Sequence, residues 1–282
     1  MILPALILPK LSNQHFTTYG MDSLEKCKDK AHFQSYPYKI SYDFNSRGFR
    51  DQEWPSDLKD AIWCIGDSFT VGIGSPIEHT WPYILSEKTG KRCINVSMGG
   101  ASNKWIARIV KLIQEEIAPD EMIVQWSYLW RDELPDSSLS DDERIVDSVD
   151  LRTITNQQLV DHFLESFNSV KNYPITHSII PYATEIDNEI GIVDNKTIQT
   201  IWDNIKGPDW PIDPKDYLEV IDELASCFKN EKDKIVSSLL YNKETKDMIT
   251  LEQLDFARDS HHYDIVTATT FVDSLIAVRS HS

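Results

Sequence analysis

With 282 residues, 41% hydrophobic and 26% charged, the chain can bury one large core and is too apolar for disorder throughout. Its 28 basic residues against 45 acidic ones leave a net charge of −17, and no Lys/Arg cluster offsets that field, so nucleic acid and anionic membrane surfaces should be repelled. No apolar run approaches the roughly 18 residues needed to span a bilayer.

The start, Met1 to Pro9, is apolar but short, holds two prolines and lacks a basic leading region and a cleavage site, so it reads as a packed arm rather than a signal peptide. Residues 1 to about 55 show no sustained period and predict an extended arm with short strands, packed on a domain that fills 56–282. Within the arm, Asn45-Ser46-Arg47-Gly48-Phe49-Arg50 has the composition of a tight turn, with Phe49 as its core anchor or Arg47 and Arg50 facing a substrate. Ala61–Ile65 predicts the first core strand. It breaks at Gly66 and sets Ser68 where strand gives way to helix, so that backbone N–H groups of the next turn face whatever the hydroxyl attacks.

A helix is expected over Trp81–Thr89, stopped by Gly90, then a strand over Arg92–Ser97 and a loop over Met98–Asn103. Trp105, Ile106, Ile109, Val110, Leu112, Ile113 and Ile117 recur at helical spacing, and Met122–Trp126 predicts the next strand. This alternation argues for parallel βαβ units in a sheet covered on both faces. Asp132–Asp150 is rich in Asp, Ser and Glu and predicts a solvated loop or short helix, part of an insertion at about 132–155. Asn156 opens a helix striped by Leu159, Phe163, Phe167 and Val170, and Pro174–Ile180 is a further strand. A second insertion at 183–213, with Trp202 and Trp210, could form a lid or stack on a sugar. Helices over Tyr217–Phe228 and from Ile265 complete the chain.

The four cysteines, Cys27, Cys64, Cys93 and Cys227, lie far apart, show no zinc spacing and fit reduced thiols in a cytosolic or otherwise reducing compartment. An attacking serine needs a base and a group to hold that base. One stretch puts a histidine beside carboxylates just ahead of a helix: Arg258-Asp259-Ser260-His261-His262-Tyr263-Asp264. The same stretch has the ligand types for a metal site of Asp259, His261, His262 and Asp264, or it is a capping loop in which Asp259 or Asp264 caps the last helix.

The run Gly66-Asp67-Ser68-Phe69-Thr70-Val71-Gly72, together with a late Asp259-Ser260-His261-His262, resembles the first and last sequence blocks of the SGNH or GDSL hydrolases, a family of serine esterases and lipases. That resemblance implies a three-layer α/β/α sandwich with a mainly parallel, flavodoxin-like sheet. It implies Ser68 as nucleophile, His262 as general base and Asp259 as the group that fixes its tautomer. His261 is expected to be a bystander, since neighbours in a loop usually point apart. Asn95-Val96-Ser97-Met98-Gly99-Gly100 is similar to the second block, which makes the Ser68 and Gly100 N–H groups the oxyanion donors, with Gly99 second to Gly100.

The family's third block carries an asparagine after a strand, and this chain has Trp126-Ser127-Tyr128-Leu129-Trp130-Arg131 there instead. Asn103, Ser127, Tyr128 and Arg131 are the candidates to fill its place or to bind substrate. The implied activity is hydrolysis of a carboxylic ester, an O-acyl group on a carbohydrate or a small lipid-like ester, without metal or cofactor. Acyl transfer by the same triad and a catalytically inactive binding module are the alternatives, and the acyl group, the alcohol and the oligomeric state stay open.

Overall fold

In β3 (Ile62–Gly66) odd and even side chains go to opposite faces, as the two-residue period of a strand requires. The computed structural model describes residues 6–128, 131–133, 145–146, 156–179, 235–237, 241–242, 247–248 and 255–279. Before β3 come β1 (His15–Phe16), helices α1 (Leu24–Cys27) and α2 (Ala31–Ser35), and β2 (Tyr42–Asp43), which pairs antiparallel with β1. The short strands of the arm are as expected. Its helical turns are not, because segments of four and five residues are too short to display a period.

After β3 follow α3 (Ser68–Val71), α4 (Trp81–Thr89), β4 (Cys93–Ser97), α5 (Asn103–Glu116) and β5 (Glu121–Trp126). Gly90 ends α4 with φ +67°, the left-handed conformation that glycine adopts at low cost. Next are β6 (Asp132–Glu133) and β7 (Ile145–Val146), an antiparallel pair where a loop or short helix was expected. Arg108 on α5 holds the Glu133 carboxylate through both its Nη1 and Nη2 atoms at 2.9–3.2 Å, which anchors that pair to the core. The chain goes on through α6 (Asn156–Asn168), β8 (Ile175–Ile179), β9 (Ile235–Ser237), the antiparallel pair β10 (Tyr241–Asn242) and β11 (Asp247–Met248), and α7 (Ile265–Arg279).

The central sheet runs β4-β3-β5-β8-β9 with every pairing parallel, the doubly wound order of flavodoxin-like folds. One face of the sheet, with Trp63, Ile65, Ile94, Val96, Met122, Val124 and Trp126, packs on Trp105, Ile106, Ile109, Val110 and Ile113 of α5 and on Phe163 and Phe167 of α6. The other face, with Ile62, Cys64, Cys93 and Ile123, packs on Trp81 and Leu85 of α4 and on Phe271, Val272 and Leu275 of α7. The result is a three-layer α/β/α sandwich. Each large apolar side chain so buried contributes roughly 1.5–3 kcal/mol, so sheet and helices stabilise one another. Cys27, Cys64 and Cys93 are buried free thiols.

The arm joins this core through Leu6, Leu8 and Phe49. Arg50, only 1% exposed, donates to the carbonyls of Ser41, Val71, Gly72 and Ser75, so it serves as an internal clamp rather than a substrate contact. Arg47 donates to the Leu6 carbonyl and stacks over Trp54, and it is structural too. The segment 183–213 with Trp202 and Trp210, the helix expected over 217–228 and Cys227 lie outside the described residues. Among the described residues no helix is long and apolar enough to cross a membrane.

Candidate active site

The strand β3 ends at Gly66 because nothing larger fits: a Cβ there would lie 2.1 Å from Thr70 Oγ1. The chain therefore turns sharply into α3 with Asp67 as N-cap, its Oδ1 accepting the Phe69 N–H at 3.0 Å. Ser68 opens the helix at the carboxyl end of the strand, 4% exposed, and its Oγ is buried with no hydrogen-bond partner. Asn95 of β4 donates from Nδ2 to the Thr70 carbonyl at 3.0 Å, and Met98 N–H donates to the Gly66 carbonyl at 3.2 Å. These bonds tie the first and second loops together. Gly100, φ +79°, sits in the Met98–Ala101 turn closed by the Ala101 N–H on the Met98 carbonyl.

The loop before α7 presents the second half of the site. His262 donates from Nδ1 to Asp259 Oδ2 at 2.6 Å, while Asp259 Oδ1 accepts the backbone N–H groups of His261 and His262, both at 3.0 Å. The two side chains are 0% and 1% exposed. Burial works to raise the Asp259 pKa, but the His262 charge and the hydrogen bonds outweigh it and hold the carboxyl down to about 2. With Nδ1 committed, His262 Nε2 is left buried and without a partner. The His262 ring lies 4.6 Å, centroid to centroid, from Phe69, the residue after Ser68. No hydrogen bond joins Ser68 Oγ to His262 Nε2, so both atoms keep unmet polar capacity in a dry setting.

His261, expected as a bystander to the chemistry, lies against Phe69, and Tyr128 Oη meets its Nε2 at 3.3 Å, so it joins the loop before α7 to the loop after β5. Burial first, and then the charge of His262, push its imidazole down to about 3, which keeps it neutral. Asp264 turns from the dyad toward Ser75, His79 and Tyr36. The side-chain cap of α7 is neither Asp259 nor Asp264. The Asp255 carboxylate takes that place, accepting the N–H groups of Val266 and Thr267 from across the loop. Among the described residues no group of three or more His, Cys, Asp or Glu side chains converges to hold a metal ion.

Among solved structures, the chain is similar to several whose descriptions name the G-D-S-L family or an esterase. A member of the lipolytic G-D-S-L family from Veillonella parvula matches with 13% identity over 79% of this chain and 99% of its own, at a TM-score of 0.46. A GDSL-like lipase from Bacteroides thetaiotaomicron matches with 9% identity over 82% of this chain and 93% of its own, at 0.43. The esterase EstA from a Pseudoalteromonas species matches with 12% identity over 79% of this chain and 97% of its own, also at 0.43. No protein-family model matches the chain, and no curated protein does.

The candidates for the missing asparagine form one network behind the serine. Asn103 Oδ1 accepts the Ser127 N–H at 2.8 Å, and its Nδ2 donates to the carbonyls of Ser127 and Tyr128 at 3.2 and 3.3 Å, so this amide is spent on shaping the third loop. Ser127 Oγ and Arg131 Nη1 both donate to Asp67 Oδ2, at 2.7 and 2.6 Å, and Arg131 lies over the Tyr128 ring. Asp67 is thus a fully buried carboxylate between the serine turn and the third loop. The residue pattern alone missed that role, although the middle position of Gly-Asp-Ser was the signal for it. Truncating Arg131 to alanine leaves this carboxylate without its cation, and urea unfolding should show a loss of about 3 kcal/mol. Unchanged stability would mean that the pair adds nothing.

Proposed function

We propose that this chain is a serine hydrolase of carboxylic esters, with Ser68 as nucleophile, His262 as general base and Asp259 as the residue that orients it. The observation that carries this reading is the pair of buried, unpartnered atoms, Ser68 Oγ and His262 Nε2, with the histidine locked from behind by a carboxylate. Leaving a buried polar atom unsatisfied costs about 1–3 kcal/mol, and a site that reserves both atoms for a substrate accounts for that cost. Contacts between nucleophile and base are commonly long without substrate and tighten when it binds.

In this reading Ser68 Oγ attacks the ester carbonyl while His262 Nε2 takes its proton. The proton passes to the departing alcohol, leaving the acyl group on Oγ. Water, deprotonated by His262, then releases the acid and restores the serine. The N–H groups of Ser68 and Gly100 would receive the oxyanion, each such donor contributing about 3 kcal/mol in favourable cases. The proposed substrate, an O-acyl group on a carbohydrate or a small lipid-like ester, rests on the family resemblance. Acyl transfer to a sugar rested on Trp202 and Trp210, which the described residues do not include.

A binding module without turnover is the second reading. It is favoured by the committed Asn103 amide, which leaves the family's third donor without a replacement from that residue. A fluorophosphonate probe separates the two: labelling at Ser68 supports the hydrolase, and an unlabelled Ser68 in folded protein supports the module.

A further inference from the structure

The Asp259–His262 dyad lies near the end of the sequence and the Ser68 turn in its first quarter. Besides the Ser75 hydroxyl, which meets the Tyr263 carbonyl and Asp264, a buried network supplied by the N-terminal arm joins the segments that carry them. Arg258, next to Asp259, grips the Asp22 carboxylate with Nε on Oδ1 at 2.7 Å and Nη2 on Oδ2 at 2.6 Å. The Asp22 side chain is 0% exposed and that of Arg258 12%. Tyr42 Oη donates to the same Oδ2 at 2.6 Å and accepts the Gly74 N–H at 2.7 Å. The Gly74 carbonyl in turn accepts the Arg258 N–H at 2.9 Å, which closes a ring through Asp22, Tyr42, Gly74 and Arg258.

Gly74 belongs to the segment that leaves α3, and it packs directly on the dyad. Its φ is +83°, and a Cβ there would lie 3.1 Å from Asp259 Oδ1 and 2.8 Å from Ala257 Cβ. Further contacts from the arm reach the same loop. Lys30 Nζ donates to the Asp259 carbonyl at 3.0 Å, His32 Nε2 to the Ala257 carbonyl at 2.9 Å, and Arg258 lies over Phe33. Arg50, stacked on Tyr42, holds the carbonyls of Val71, Gly72 and Ser75 from beneath.

We propose that Asp22 is a positioning residue, which through Arg258 on one side and Tyr42 on the other sets the separation of His262 from Ser68. This deepens the hydrolase reading and rests on it for its effect on turnover. A fully buried carboxylate that receives a forked guanidinium and a phenol is geometrically strict, because each of its partners has one good direction of approach. A displacement of about 1 Å at a reacting pair can lower the rate by up to about 100-fold.

The test uses the full chain with Asp22→Asn and, in case that variant does not fold, Tyr42→Phe, which removes only the hydroxyl. Two readouts are taken. One is kcat per site titrated with a fluorophosphonate, with KM measured beside it. The other is the downfield proton resonance of the His262 Nδ1–H on Asp259, which needs no turnover. The expected result is a fall in kcat of about tenfold or more at nearly constant KM, with a shifted or broadened resonance. Folded variants with an unchanged resonance and unchanged kcat per titrated site would overturn the proposal, as would a loss confined to melting temperature and active fraction. If the wild-type protein neither turns over esters nor takes the label, the hydrolase reading fails, and the resonance alone still decides whether Asp22 positions the dyad.

Discussion

Replacing Ser68 by alanine is expected to lower turnover of a p-nitrophenyl ester by roughly 10⁴-fold or more and to abolish fluorophosphonate labelling. The fold should survive the change. Ser68 Oγ makes no hydrogen bond and is sealed from solvent, so its removal leaves no partner unsatisfied and relieves one buried polar atom. The melting temperature should therefore hold or rise slightly while activity disappears. That combination separates a nucleophile from a structural serine, whose loss would lower both. Undiminished hydrolysis by the folded variant would remove Ser68 from the mechanism.

The second large effect is expected at Asp259. Asparagine there can still accept the N–H groups of His261 and His262 at the Oδ1 position, but its amide cannot accept the His262 Nδ1–H that the carboxylate now holds. The ring should then expose the wrong tautomer at Nε2, with kcat falling on the order of 10⁴-fold. Stability should change with a defined sign. The Asp259 carboxyl is held down to about 2 in the folded chain, below the ordinary value near 3.9. A depressed acid stabilises the fold above the unfolded value, and that contribution is lost as pH falls toward 2. Chemical unfolding across this window should show the wild-type chain losing about 2 kcal/mol that Asp259→Asn does not lose. Parallel pH curves for the two proteins would mean that the carboxylate is not held by His262.

Much of the scaffold was legible along the chain because its signals are local. The strands β3, β4, β5 and β8 stand out as short apolar runs, the stripe of α5 repeats with the helical period, and Gly90 stops α4 at the expected residue. Parallel pairing followed from alternation alone. The turns of the arm escaped because four or five residues cannot show a period, and the β6–β7 pair escaped because its support comes from Arg108, a helix away.

The site divides in the same way. Ser68 stands out at a strand-to-helix turn, whereas Asp259 and His262 were singled out by the resemblance to the SGNH blocks, since the residues of that stretch fit a metal site or a capping loop as well. Arg50 was read as a turn residue or a substrate contact and proves to be a buried clamp. Asp22 and Tyr42 carry no local signal, because a carboxylate or a phenol declares its role only through partners that are distant in sequence, and the Gly-Asp-Ser run places Asp67 without showing its partners. Asp67 meets Arg131, and Asp22 meets Arg258, 236 residues away.

Backbone preference and hydrophobic period act over a few residues, so order along the chain was enough to specify the main strands and helices and their parallel sheet, while the candidate triad came from a resemblance between short sequence blocks. Burial and electrostatics act through space. Only the folded chain could show which carboxylates are sealed from water, which cations neutralise them, and that the amide nearest the missing asparagine's place is already spent on the Ser127 and Tyr128 carbonyls.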